Sequence, residues 1–136
     1  MEFLDTNVLV YAASGLPADR QKTQIARALA SRTDIAISLQ VLQEFYVAAR
    51  HPKKLNLSHA EATAYCRQWR RFPILEPTLE LFDDALRLCD RFQIGYYDAS
   101  IVAAARALGC KVVQSEDLSD GQDYDGVEVV NPFRNR

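Results

Sequence analysis

Short apolar runs alternate along this chain with longer stretches of helical periodicity, and that alternation restricts the fold more than any other feature. Phe3-Leu4 reads as a strand running into Asp5-Thr6-Asn7 and an apolar segment, Val8-Leu9-Val10-Tyr11, before Gly15 and Pro17 break the pattern. A helix is predicted from Asp19 to Ala30 with Asp19 as N-cap, then a buried strand at Ile35-Ala36-Ile37. Ser38 caps a helix reaching about Arg50, and Pro52 follows as a stop signal. Ser58-His59-Ala60-Glu61 is a capping box opening a helix whose Tyr65 and Trp69 read as core packing in preference to base stacking. Pro73-Ile74-Leu75 is a short link or a strand, and Leu79, Phe82, Leu86 and Cys89 recur at helical spacing. An alanine-rich helix starts near Asp98 and ends at Gly109, and strands are predicted at 111–114 and 127–130. The expected fold is therefore α/β: one domain, residues 1–136, with a central parallel sheet covered by helices on both faces in three α/β/α layers.

Several function classes drop out at once. No apolar run is long enough to cross a membrane, and Met1-Glu2-Phe3-Leu4-Asp5 lacks the basic and apolar regions of a secretory signal, which predicts a cytoplasmic protein. Cys66, Cys89 and Cys110 form no CxxC pair and read as small core residues, so neither a disulfide scaffold nor a thiolate zinc site is expected. His51 and His59 are too few for a His-rich metal site. No Gly-rich phosphate loop and no G-x-S-x-G elbow occurs. The net charge of −2 lacks the basic surplus usual in nucleic-acid-binding domains, so any such contact must come from a local patch or from bound cations.

Ligands of open α/β sheets gather at the carboxyl ends of the strands, so the residues after each strand carry the functional reading. Asp5 follows the first strand, Asp98 opens the late helix after Gly95-Tyr96-Tyr97, and Glu116-Asp117 follow the strand ending at Gln114. Glu44 lies inside a helix beside Val41, Val47 and Ala48, an unfavourable place for a charge unless it faces a cation or a polar cleft. Each acid has an ordinary structural reading as turn former, helix cap, helix-edge charge or loop acid. None of these readings explains four acids directed at one sheet edge, where their mutual repulsion raises their pKa values. A divalent cation relieves the conflict, and Mg²⁺ or Mn²⁺ suits oxygen ligands and water.

These segments resemble the motifs of the PIN-domain family. Phe3-Leu4-Asp5-Thr6-Asn7-Val8-Leu9 is similar to its first motif, and Ser38-Leu39-Gln40-Val41-Leu42-Gln43-Glu44-Phe45 to its second. Tyr97-Asp98-Ala99-Ser100-Ile101-Val102-Ala103-Ala104-Ala105 is similar to the third, and Ser115-Glu116-Asp117 to the fourth. Order and chain size match the VapC-type toxins. The resemblance implies a PIN-like fold and a Mg²⁺-dependent endoribonuclease, with Mn²⁺ as a substitute, acting on single-stranded or looped RNA. Asp5 and Asp98 would be direct metal ligands, and Glu44 and Asp117 would bind partly through water. The ion would activate water, polarise the phosphate and stabilise the leaving oxygen. Thr6, Asn7 and Ser115 would orient carboxylates or waters. The resemblance also implies a homodimer and a cognate antitoxin. The fourth motif departs from the family where Leu118-Ser119-Asp120-Gly121 replaces a further acid and an aromatic, so Glu116 competes with Asp117 for the fourth position.

Arg50, Lys53 and Lys54 cluster with His51 beyond Glu44, and the six residues from Glu44 to Arg50 span roughly 9 Å of helical rise, so one RNA strand could touch both. The same charges also suit a helix C-terminus. Arg67, Arg70 and Arg71 form a second candidate phosphate surface or a solvated face. Two rival readings remain: a PIN-like scaffold without catalysis, and a receiver-like regulatory domain. The receiver requires an acceptor Asp after a central strand and a Lys after a late one, whereas Ser38-Leu39-Gln40 follows the second strand and no Lys follows Val113.

Overall fold

The computed structural model describes residues 1–134. Its strands are β1 (Glu2–Leu4), β2 (Ile35–Ser38), β3 (Ile74–Leu75), β4 (Val112–Gln114), β5 (Asp123–Tyr124) and β6 (Val127–Val130), joined in one sheet of order β3-β2-β1-β4-β6-β5. Every pairing is parallel except that of β5 with β6, an antiparallel pair at one edge. The helices are α1 (Thr6–Ala13), α2 (Arg20–Ala30), α3 (Leu39–Arg50), α4 (His59–Trp69), α5 (Leu79–Phe92) and α6 (Tyr96–Ala107).

Parallel strands need crossovers, and crossovers are right-handed. The steps from β1 to β2 and from β2 to β3 run one way across the sheet, so their helices α1 to α4 share a face. The step from β3 back to β4 runs the other way, which puts α5 and α6 on the opposite face. The packing agrees: α1 meets α2 and α3, α3 meets α4, and α5 meets α6, while β2 is touched by both α3 and α6. Between the layers Phe3, Ile35, Ile37, Val113 and Val129 are fully buried with Phe45, Leu88 and Val102. Trp69 stacks on Tyr65 at 5.4 Å and meets Phe45 edge-on at 4.2 Å, which is the core role expected of it. Cys110 is buried and Cys66 and Cys89 are half-buried, all three as free thiols.

Local signals place most helix ends. Ser38 accepts from the Val41 amide, and Ser58 and Glu61 make the reciprocal capping box. Several details differ from expectation, among them α1, which was expected only as an apolar segment, and the edge strand β5, which was not expected. A 3₁₀ turn, Pro17–Asp19, precedes α2, and Asp19 makes no capping bond; its carboxylate instead accepts from the Ser14 hydroxyl. α6 starts at Tyr96, which puts Asp98 in its first turn rather than at its start. Leu79, Phe82 and Leu86 lie on α5 but face solvent, at 82%, 44% and 46% exposure. The stripe turned inward is Leu81, Ala85, Leu88 and Phe92 instead, with Ala85 and Leu88 fully buried and the other two half-buried. α5 carries two apolar stripes, and the one containing Ala85 meets alanine-rich α6, where small side chains let two helices approach closely.

Candidate active site

β1 and β4 lie side by side while the chain leaves them in opposite directions, so the crevice of the sheet opens beyond their carboxyl ends. Asp5 ends β1 there. Its amide donates to the Gln114 carbonyl of β4 at 3.0 Å, and its Oδ1 caps α1 by accepting from the Thr6 amide at 2.7 Å. Ser115, fully buried after β4, donates its hydroxyl to Asp5 Oδ2 at 2.7 Å. The Ser115 hydroxyl oxygen also accepts from the Asp117 and Leu118 amides at 3.1 and 3.4 Å, so the loop is wound around one hydroxyl. Asn7 closes the arrangement. Its Nδ2 donates to Asp117 Oδ2 at 3.1 Å and to Ser115 at 3.4 Å, and its Oδ1 accepts from the Glu116 amide at 3.2 Å.

Glu44 joins from α3. Its Oε1 accepts from the Thr6 hydroxyl at 3.0 Å and from Gln40 Nε2, one helical turn earlier, at 3.3 Å. Gln40 also donates to the Tyr97 carbonyl at 3.4 Å and accepts from the Ser100 hydroxyl at 2.6 Å, which ties α3 to α6. Glu44 is thus exposed toward a polar cleft, while Val41 and Ala48 of the same helix are buried. Asp98 is exposed, and among the described residues nothing hydrogen-bonds its carboxylate; Gly95 occupies the cap position of α6.

Asp5 is 6% exposed, and its pKa is pushed up to about 6. Burial is the main cause, with the charges of Asp117 and Glu44 adding to it against the bonds from Ser115 and Thr6. Burial and the Asp117 charge also raise Asp98. The Asp117 charge therefore acts on both Asp5 and Asp98, and the Glu44 charge acts on Asp5, while among the described residues no Lys, Arg or His forms an ion pair with any of the four. Their donors are all hard carboxylate oxygens, the chemistry of Mg²⁺ or Mn²⁺. Among the described residues no three acids are close enough to share an ion directly. Mg²⁺ keeps several waters and needs only one or two direct carboxylates. Glu44 Oε2, Asp117 Oδ1 and both Asp98 oxygens carry no hydrogen bond from the described residues, so the donor set fits a hydrated ion.

The adjacent acids Glu116 and Asp117 point to different partners. Glu116 accepts from the Tyr11 hydroxyl at 2.8 Å and from the Lys22 ammonium, which sits 4.8 Å from the Tyr11 ring centre and 5.6 Å from that of Phe133. The Glu116 bond holds Lys22 above its ordinary pKa, and burial raises Tyr11. Asp117 is bonded to Asn7 and faces the other acids.

A cleft of about 840 Å³ adjoins this arrangement. Thr6, Asn7, Glu44 and Asp117 line it together with Tyr97 and the turn after α3, His51, Lys53 and Lys54. Arg50 is exposed but does not line the cleft, nor do Arg67, Arg70 and Arg71. Gln40, Ser100, Tyr11, Lys22 and Tyr97 join the site without having been expected there. Gln40 had a signal, since it lies four residues before Glu44 on the same helix face. Lys22 had none, because its partner is 94 residues away.

Comparison with known proteins bears on the whole chain. A solved toxin–antitoxin complex from Klebsiella pneumoniae superposes with a TM-score of 0.74 at 22% identity, covering 99% of this chain and 100% of that one. VapC20 from Mycobacterium tuberculosis, a toxin that cleaves the sarcin–ricin loop, gives 0.66 at 20% identity over 86% of this chain and 92% of that one. FitAcB from Neisseria gonorrhoeae gives 0.64 at 20% identity over 99% of this chain and 100% of that one. At these identities the likeness is one of fold. No curated protein matches the sequence significantly. The sequence profile of the PIN domain matches residues 3–119, from β1 through the loop after β4, and the chain belongs to the PIN domain family.

Proposed function

We propose that this chain is a metal-dependent endoribonuclease, the toxin of a toxin–antitoxin pair, in which Asp5, Glu44, Asp98 and Asp117 hold Mg²⁺ or Mn²⁺. The observation that carries this reading is Asp5, a buried carboxylate with a pKa near 6, set among other acids and ion-paired with no basic side chain among the described residues. A structural acid so placed would normally be paired with Lys or Arg; a bound cation serves the same need and also explains the neighbouring acids. The noncatalytic scaffold has no use for a complete set of four.

When bound, the ion supplies Lewis-acid polarisation of the phosphate and a more acidic water. The chain's own residues aim the ligands. Ser115 and the Thr6 amide fix both oxygens of Asp5, Asn7 turns Asp117, and Thr6 with Gln40 holds Glu44 by one oxygen so that the other is free. Lys53 and Lys54 supply local positive charge for RNA phosphates along the cleft, which a chain of net charge −2 cannot supply overall. Single-stranded or looped RNA is the substrate class, in keeping with the sarcin–ricin loop cut by VapC20. The toxin–antitoxin complexes among the structural relatives support a protein antitoxin as partner. The exposed stripe Leu79, Phe82 and Leu86 supports a homodimer. No described helix is long and apolar enough to cross a membrane, which accords with a cytoplasmic site of action.

Purified protein is expected to cut RNA with Mg²⁺ or Mn²⁺ and to stop in EDTA. Asp98→Asn removes no hydrogen bond among the described residues, so it should abolish cleavage and weaken metal binding without lowering Tm in EDTA. Asp117→Asn should lower cleavage far more than Glu116→Gln. Undiminished cleavage in EDTA, or an active Asp98→Asn protein, overturns the reading.

A further inference from the structure

We propose that Tyr97 and Gln43 form a subsite for one unpaired nucleobase beside the acids, the ring stacking on the base and the amide reading its edge. The subsite rests on the RNA-cleavage reading above and assigns base recognition to two side chains that play no part in holding the acids.

Tyr97 is 69% exposed and lines the cleft that Glu44 and Asp117 also line, immediately before Asp98 in the chain. The ring does not float free. Tyr96 meets it edge-on at 5.3 Å, Phe82 backs Tyr96 at 5.7 Å, and Gln40 holds the Tyr97 carbonyl. A ring supported by its neighbours and still largely open to the cleft loses little freedom when a flat partner stacks on it. Unpaired bases are such partners, and stacking on aromatic side chains is how single strands are commonly held.

Gln43 follows Gln40 by three residues on α3 and lines the same cleft. The two amides differ in what they have left to give. Gln40 is engaged by Glu44, Tyr97 and Ser100, whereas Gln43 is exposed and makes no hydrogen bond among the described residues. A free amide offers a donor and an acceptor side by side, the pattern that matches a base edge. Gln40 reaches the Tyr97 carbonyl, and Gln43, three residues further along the same helix, lines the cleft that Tyr97 lines. Lys53 and Lys54 line the cleft as well and provide for phosphates of the same strand. RNA therefore accounts for the ring, the amide and the lysines together, and a protein contact is the alternative outcome of the test.

The experiment uses the full chain and a short fluorescent single-stranded RNA, with Kd read by anisotropy in EDTA and kcat/KM read in Mg²⁺. A set of RNAs, each abasic at one position in turn, locates the base. Tyr97→Ala is expected to raise Kd about tenfold on intact RNA, Tyr97→Phe to keep wild-type affinity, and the Tyr97→Ala defect to vanish on the one RNA abasic at the subsite. Gln43→Leu is expected to flatten the preference in kcat/KM among the four bases at that position. A Tyr97→Ala defect equal on every abasic RNA, or accompanied by a changed oligomeric mass, assigns the ring to another contact and overturns the subsite. An unaltered base preference in Gln43→Leu does so too. RNA cut equally well by wild type and Tyr97→Ala overturns the subsite and leaves the cleavage reading standing, whereas a wild type that cuts no RNA overturns both.

Discussion

Asp5 ends a strand, caps a helix and sits in a crevice among other acids, and its protonation reports the balance of these roles. Its pKa rises from 3.8 to about 6, so the folded state holds the proton more tightly than the unfolded one. The stability this group contributes is complete below pH 3.8 and is lost as pH rises through 6. At 1.36 kcal/mol per pH unit the loss has a ceiling of ~3 kcal/mol. Asp5→Asn removes the charge and with it the loss, though its amide can no longer accept from Ser115. In EDTA, the stability of Asp5→Asn relative to wild type should therefore increase between about pH 4 and pH 7. Saturating Mg²⁺ should stabilise wild type at pH 7 and leave the variant unmoved. Chemical melts across pH measure both effects, and a difference that does not change with pH contradicts the assignment of Asp5.

α3 joins the acids to the basic turn. Val41, Phe45 and Ala49 bury one side of it, while Gln40, Gln43, Glu44 and Val47, at spacings of three and four, line the cleft. The turn after it is organised by His51, whose Nδ1 accepts from the Lys53 amide at 3.0 Å, and it carries Lys53 and Lys54 into the cleft wall. If each lysine neutralises one phosphate, removing both should flatten the slope of log Kd against log salt by about 1.4 for a single strand. Arg50→Ala, outside the cleft, should leave the slope unchanged. Titrations with RNA over a range of salt concentrations decide the matter; a slope unchanged in the double variant returns the lysines to a solvated face.

Across the whole molecule, the surfaces open to association are unequal. Both sheet edges are two-residue strands, β3 and β5, too short to template pairing with another chain. The apolar stripe of α5 has no such protection, with Leu79, Phe82 and Leu86 in a row and Tyr96 against Phe82. Wild type is expected to run as a dimer in light scattering. Leu79→Glu combined with Leu86→Glu should give a monomer with no loss of monomer stability, since both positions are exposed. A monomeric wild type, or a dimer that survives both changes, places the interface elsewhere or removes it.

The strands β1, β2, β4 and β6, the helix caps at Ser38 and Ser58 and the α/β alternation were legible in the sequence, because each depends on residues within a turn or two of one another, whereas β3 stayed open between link and strand and the β5 edge was not expected. Asp5, Glu44, Asp98 and Asp117 could be singled out for the same reason: each follows a strand or stands out on a helix face. What each acid does depends on longer connections. Glu116 and Asp117 are neighbours that part company because Lys22 and Tyr11, 94 and 105 residues from Glu116, claim one of them. Arg50 and Lys53 read alike as charges after a helix, yet only Lys53 turns into the cleft. The two stripes of α5 are equally periodic, and contact with α6 buried one of them. Periodicity and capping are local energies that a sequence carries within a short window. The direction of a side chain at the edge of a parallel sheet is set by the register of β1 against β4 and by the helices packed over them, and those come together only when the whole chain folds.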